Sequence, residues 1–195
     1  IKRNTIIDRL AMVGAISGIA IPNFVLGIML LLLFAVVLRW LPSQGYVSIF
    51  DNPAEHFKRM IMPSFALGFS SAALLARMVR SSMLDVMRED YVRTAMAKGV
   101  AFRNVITGHA LRNALIPAVT VIGYSLGNLL GGAVVTEQVF NLPGMGRLVV
   151  TSITRRDFPV IQGTVMVIAT IQVVVMLLID ILYVYIDPRI RYGTE

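Results

Sequence analysis

Four long stretches of this chain carry no charge, and charged stretches separate them. No Asp, Glu, Lys or Arg occurs at residues 10–38, 60–76, 113–136 or 158–179. The first run has 29 residues and would extend about 43 Å as a helix. The hydrocarbon core of a bilayer is only roughly 30 Å thick, so this run must tilt, protrude, or bend at Pro22, which lacks a backbone N–H. The second run, of 17 residues, extends through residues 77–79 and has Pro63 near its start. The third has Gly123, Gly127, Gly131 and Gly132 at roughly helical spacing, which suits close packing of helices in lipid. The fourth is followed by Asp180 and a further apolar turn. The pattern predicts an all-α, polytopic helical membrane protein. It places about four transmembrane helices near residues 10–38, 60–79, 113–136 and 160–186, in a single domain spanning residues 1–195.

Between these runs, residues 39–59 and 137–159 read as outer loops, the first opened by the interfacial pair Arg39 and Trp40. Residues 80–112 form a longer, basic segment with its own order. Ser81 and Ser82 are placed to cap a helix. Asp85, Glu89 and Asp90 would lie in its early turns and Arg93 and Lys98 in its later ones, in line with the macrodipole. Met83, Leu84, Met87, Tyr91 and Ala95 recur at three- and four-residue steps as an apolar stripe. Gly99 suits the left-handed residue that ends such a helix. In a second short helix, Phe102, Val105, Ile106 and His109 share a face while Arg103 and Arg112 point elsewhere. A helix–Gly–helix unit with apolar and basic faces can dock a partner or lie on lipid headgroups, and periodicity leaves both open.

Composition sharpens the class. The chain is 56% hydrophobic and 15% charged, with a mean hydropathy of +0.75, whereas soluble domains carry about 25% charged residues. The net charge of +7 does not indicate nucleic acid, because the basic residues flank apolar runs instead of interleaving with aromatics. There is no Cys, and His56 and His109 have no ligand spacing between them, so no metal site is expected. With four spans, one side holds 12 Lys and Arg and the other 6. That bias puts the termini and residues 80–112 in the cytoplasm. The chain starts at Ile1 without a signal peptide and reads as a fragment or processed product.

Several polar residues inside or beside the spans have two readings. Ser70, Ser71, Ser125, Asn128 and Gln172 either line a path or join helices by hydrogen bonds. Glu137 either latches the outer end of the third span or contacts a partner, and Asp180 is read as structural. A secondary transporter without an ATPase would place charge near a span centre, and none of the four runs has it. A membrane scaffold with a docking loop is a further alternative.

The basic segment also carries a resemblance. Residues 90–99, D-Y-V-R-T-A-M-A-K-G, and 109–117, H-A-L-R-N-A-L-I-P, are similar to the EAA loop of integral-membrane subunits of ABC-type importers. The closer match is to permeases of the dipeptide, oligopeptide, nickel and glutathione branch. With the motif glycine on Gly99, the generic E-A-A triplet falls on Arg93-Thr94-Ala95, and only Leu111 keeps the generic form of the later element. The likeness continues through T-E-Q-V-F at 136–140, P-G-M-G-R at 143–147, R-D-F-P-V at 156–160 and D-P-R-I-R at 187–191. Members of the family usually have six spans, so the chain matches the C-terminal part.

The resemblance implies half of a translocation pathway for a peptide, with a nickel-chelate permease as the alternative. It implies a bacterial inner-membrane location, a homologous second permease, two cytoplasmic ATPase subunits and a periplasmic or lipid-anchored solute-binding protein. ATP and Mg would belong to the ATPase, because this chain has no G-x-x-x-x-G-K-[ST] loop and is not itself expected to be an enzyme. Tyr91, Arg93, Thr94, Ala95, Lys98, Gly99, His109, Leu111 and Arg112 would form the ATPase-coupling surface. Glu137, Phe140 and Arg147 would lie where the binding protein docks.

Overall fold

A computed structural model describes residues 5–186, and every regular element among them is a helix. Basic residues counted at 2, 3, 189 and 191 lie outside the described residues, as does the motif at 187–191.

Helix α1, Ile6–Ala20, starts at Thr5, whose hydroxyl accepts the Asp8 N–H at 3.3 Å. It ends because Pro22 follows: Ile21 takes an extended conformation (φ −87°, ψ 120°), as a residue before proline tends to do. Helix α2, Asn23–Leu30, leaves at 104° to α1 and continues as a π-helical stretch, Leu31–Val37. Of the three outcomes open to the long first run, the bend is the one found. Arg39 ends the π-helical stretch in the left-handed region (φ 55°), and Trp40 tilts against Phe34 with ring centroids 6.0 Å apart.

Helix α3 runs unbroken from Pro53 to Val86, 34 residues or about 51 Å. The Asn52 side chain caps it by accepting the Glu55 N–H at 3.1 Å, and Pro53 occupies its first turn. Pro63 lies inside the helix and is buried. Two sequence expectations change here. The first outer loop stops at Asn52, not at residue 59, and Ser81 and Ser82 are interior residues of α3, so they cap nothing. The helical pattern of the apolar run simply continues through Arg77 and Arg80.

Helix α7, Ile116–Phe140, carries Pro117 in its first turn, where the missing N–H costs no helical bond. The segment expected as a second outer loop contains α8, Met145–Arg155. Helix α9, Phe158–Ile186, follows. The Asp157 side chain accepts the Val160 N–H at 3.3 Å in its first turn.

Packing relies on small residues. A Cβ at Gly18 of α1 would stand 2.8 Å from Ala73 Cβ of α3, and one at Gly123 of α7 would stand 2.7 Å from Ile179 Cγ2 of α9. Close backbone approach of this kind is how helices associate where lipid supplies no hydrophobic contrast. One core cluster joins Met62, Ala66 and Phe140, and a second joins Met83, Ala110 and Ala114. Among the described residues, α3 and α9 are each long and apolar enough to cross a membrane, and the bent pair α1–α2 would add a third span. Only 6% of the α9 window is buried, so its apolar surface requires lipid or a neighbouring chain.

Polar contacts sort the ends of the bundle. Arg80 donates to both Asp8 oxygens, at 2.6 and 2.7 Å, which places the start of α1 beside the last turns of α3. At the opposite end, Gly45 N–H donates to Phe140 O at 3.0 Å and Gln44 Nε2 to Val139 O at 3.1 Å. The chain start and the basic segment thus share one end, the arrangement that the charge bias requires.

Candidate functional site

The basic segment folds onto the end of α3. After Val86, Arg88 N–H bonds to Asp85 O and Glu89 N–H to Val86 O in a tight turn, and α4, Asp90–Ala97, begins. The predicted single helix is therefore two. Met83 belongs to α3 and packs with Ala110 and Ala114, so the stripe read from Met83 to Ala95 is not one continuous face. The residue that seats α4 is Val92, fully buried, while Tyr91 is 41% exposed. Val92 falls between the stripe positions chosen from a single register, and the break in the helix resets that register.

Gly99 ends α4 as its position suggests. Its φ is +79°. Gly99 N–H bonds to Met96 O at 3.0 Å and Val100 N–H to Ala95 O at 3.3 Å, the paired bonds of a Schellman turn. A Cβ at Gly99 would meet nothing within 4 Å. The need for glycine is thus one of backbone conformation and not of space.

The second helix is composite: α5, Phe102–Asn104, a π-helical stretch, Val105–Ala110, and α6, Leu111–Ala114. The wider π turn changes which residues share a face. Val105, Ala110 and Ala114 are fully buried, whereas Phe102, expected to share a face with Val105, is 51% exposed. Leu111 packs against the Met83 cluster. Asn113 Nδ2 donates to Tyr91 Oη at 2.7 Å and ties the two helices together.

What remains outward is a mixed surface. Arg93, Lys98 and Arg103 are exposed, as are Tyr91, Met96, Val100 and Phe102 around the Gly99 turn. Thr94 is exposed but spends its hydroxyl on Asp90 O at 2.8 Å, and Ala95 is half-buried. The His109, Arg112 and Asn128 side chains lie outside the described residues. A rigid pair of helices is thus held on α3 through Met83, with apolar and cationic side chains pointing away from the bundle.

At the opposite end, three expected contact residues separate. Glu137 accepts the Arg147 N–H at 2.7 Å, so its carboxylate sits on the first turn of α8, where the helix dipole favours negative charge. Phe140 is only 2% exposed and fills the core against Met62 and Ala66, so it is not available to a docking protein. Arg147 lines an open cleft of about 350 Å³ with Pro143, Leu148 and Thr151. The P-G-M-G motif has a packing reason. Gly144 makes room for the Glu137 carboxylate, and a Cβ at Gly146 would stand 2.6 Å from Val134 Cα.

The polar residues of the spans also separate. Ser71 and Ser125 line one cleft between α3 and α7, and Ser70 lies outside it, half-buried. Gln172 and Asp180 share a different groove, along one face of α9 with Val173 and Met176.

Comparison with known proteins fits this geometry. Residues 1–192 match the family model described as binding-protein-dependent transport system inner membrane component. A putative peptide transport system permease protein of Brucella abortus is 46% identical over 190 residues, 97% of this chain and 60% of that protein. A dipeptide transport system permease protein of Alkalihalophilus pseudofirmus is 46% identical over 211 residues, covering 98% of this chain and 63% of the relative. A glutathione transport system permease protein of Escherichia coli is 47% identical over 190 residues, 97% of this chain and 60% of the relative. The chain thus spans about three-fifths of the length of these relatives.

Proposed function

Because the chain belongs to the binding-protein-dependent transport system inner membrane components, in the peptide-permease branch of ABC importers, we propose that it forms half of the membrane pathway of an ATP-driven peptide importer. It crosses a bacterial inner membrane, with α7 and the bent α1–α2 pair as spans beside α3 and α9. A homologous permease supplies the other half. A solute-binding protein delivers a dipeptide, oligopeptide or glutathione at the end that carries α8. Two ATPase subunits, which hold ATP and Mg, engage the helix pair at the other end.

The observation that carries this reading is the way α4 and the composite helix are fixed to α3. Met83 is a residue of α3 and lies in one cluster with Ala110 and Ala114. A push on the exposed surface around Gly99 is therefore delivered to a helix about 51 Å long that runs to the far end of the bundle. Rigid-body transmission of this kind is how domain closure at one site moves another. A helix pair that merely lay on headgroups would need no such anchor in the core.

The test is co-purification of the cognate ATPase with wild type and with a Gly99→Val variant, alongside peptide uptake in vesicles. Wild type should retain the ATPase and import peptide, and the variant should insert in the membrane but lose both. If the variant keeps ATPase association and uptake, the coupling assignment is wrong.

A further inference from the structure

Ser71 of α3 and Ser125 of α7 open into one cleft of about 180 Å³, whose other walls are aliphatic, Leu75, Ile122 and Leu126 among them. Both serines lie near the middle of their helices and both are half-buried. Five threonines of the chain quench their hydroxyls on the carbonyl four residues back. Thr94, Thr107, Thr154, Thr164 and Thr170 do so at 2.7–3.0 Å. Ser71 and Ser125 make no such bond, and neither hydroxyl has a hydrogen-bond partner among the described residues. In hydrocarbon an unpartnered hydroxyl costs roughly 2–7 kcal/mol, and back-bonding to the helix would remove most of that cost. Water or a polar solute that entered the cleft would satisfy these two hydroxyls, which lie near the middle of α3 and α7.

We propose that Ser71 and Ser125 form a hydrated polar step in the solute path, where their hydroxyls exchange hydrogen bonds with the uncharged amide groups of a passing peptide. The proposal rests on the importer reading and adds the chemistry of the step. A hydroxyl both donates and accepts, so it matches a peptide N–H and C=O equally. Among the described residues the cleft walls contain no Asp, Glu, His, Lys or Arg. It therefore grips neither a metal chelate nor a charged terminus, and its contacts are weak enough to release what enters, as conduction requires.

The experiment uses the complete importer in membrane vesicles with Ser71→Cys or Ser125→Cys. These 195 residues contain no other cysteine, so labelling within them reports one position. A charged methanethiosulfonate reacts with a thiolate, which forms in water and not in lipid. The charged reagent should modify both positions, and modification should abolish the uptake that each variant shows beforehand. Ser71→Ala with Ser125→Ala should lower uptake severalfold in a complex that still assembles. If only a lipid-soluble maleimide reaches the two thiols while wild type imports peptide, the cleft faces lipid and this inference alone fails. If wild type with all its partners imports no peptide, the importer reading fails, and the inference with it.

Discussion

The Glu137 carboxylate accepts the backbone N–H of Arg147 at 2.7 Å, ten residues along the chain. Gly144, the residue in the N-cap position of α8, has no side chain to offer, so a carboxylate from α7 takes over the capping. This contact ties the first turn of α8 to the end of α7.

Glu137→Ala should therefore cost about 1 kcal/mol, the usual effect of losing a cap, and should loosen α8 without unfolding the bundle. Glu137→Gln keeps an acceptor but loses the charge that favours the dipole, and should fall between. Amide hydrogen exchange across residues 145–155 checks this. Unchanged protection in the alanine variant would exclude the capping role.

Gly146→Ala should be more damaging than Gly144→Ala. The new methyl at residue 146 would stand 2.6 Å from Val134 Cα, which is backbone, and overpacking of this kind costs about 1–3 kcal/mol. At residue 144 the obstacle is the flexible end of Glu137, which can swing aside and give up its cap. Detergent-phase melting of the two variants should rank them in that order.

At Gly99 the argument is conformational. A left-handed backbone costs an L-residue roughly 1–2 kcal/mol, with Asn among the least affected, and there is open space around the site. Gly99→Asn should keep the partner ATPase and Gly99→Val should lose it. Equal loss in both would show that a contact with glycine itself, not the turn, is what matters.

Asp8 and Arg80 should behave as one unit. Asp8→Asn and Arg80→Gln should each destabilise the bundle, and the double variant should be little worse than either, because both singles break the same bidentate pair. Trypsin sensitivity of residues 77–103 is a direct readout. Full additivity would mean that the two residues act separately.

Much of the exposed surface around Gly99 was legible in the sequence. Arg93, Lys98 and the left-handed Gly99 stand where charge pattern and turn chemistry place them, because these signals are local and survive any tertiary arrangement. The errors cluster where a helix did something other than continue at 3.6 residues per turn. A tight turn after Val86 split the predicted stripe, and the π-helical stretch put Val105 and Ala110, five residues apart, both in the core. Helix α8 was missed because Gly144, its N-cap residue, provides no capping side chain, and the group that caps it lies in another helix.

The residues alone establish a helical membrane chain, the basic character of one of its ends, and the glycine turn at Gly99 within residues 90–117. Uncharged runs, Lys and Arg bias and a glycine turn depend only on neighbours along the chain. Only the packing of the helices shows that Phe140 is core and not contact surface, that Glu137 holds a helix, and that Ser71 shares a cleft with Ser125 but not with Gln172. Each of these depends on which helix faces lie against each other. Small residues such as Gly18, Gly123 and Gly146 fix that facing by how closely they let two backbones approach.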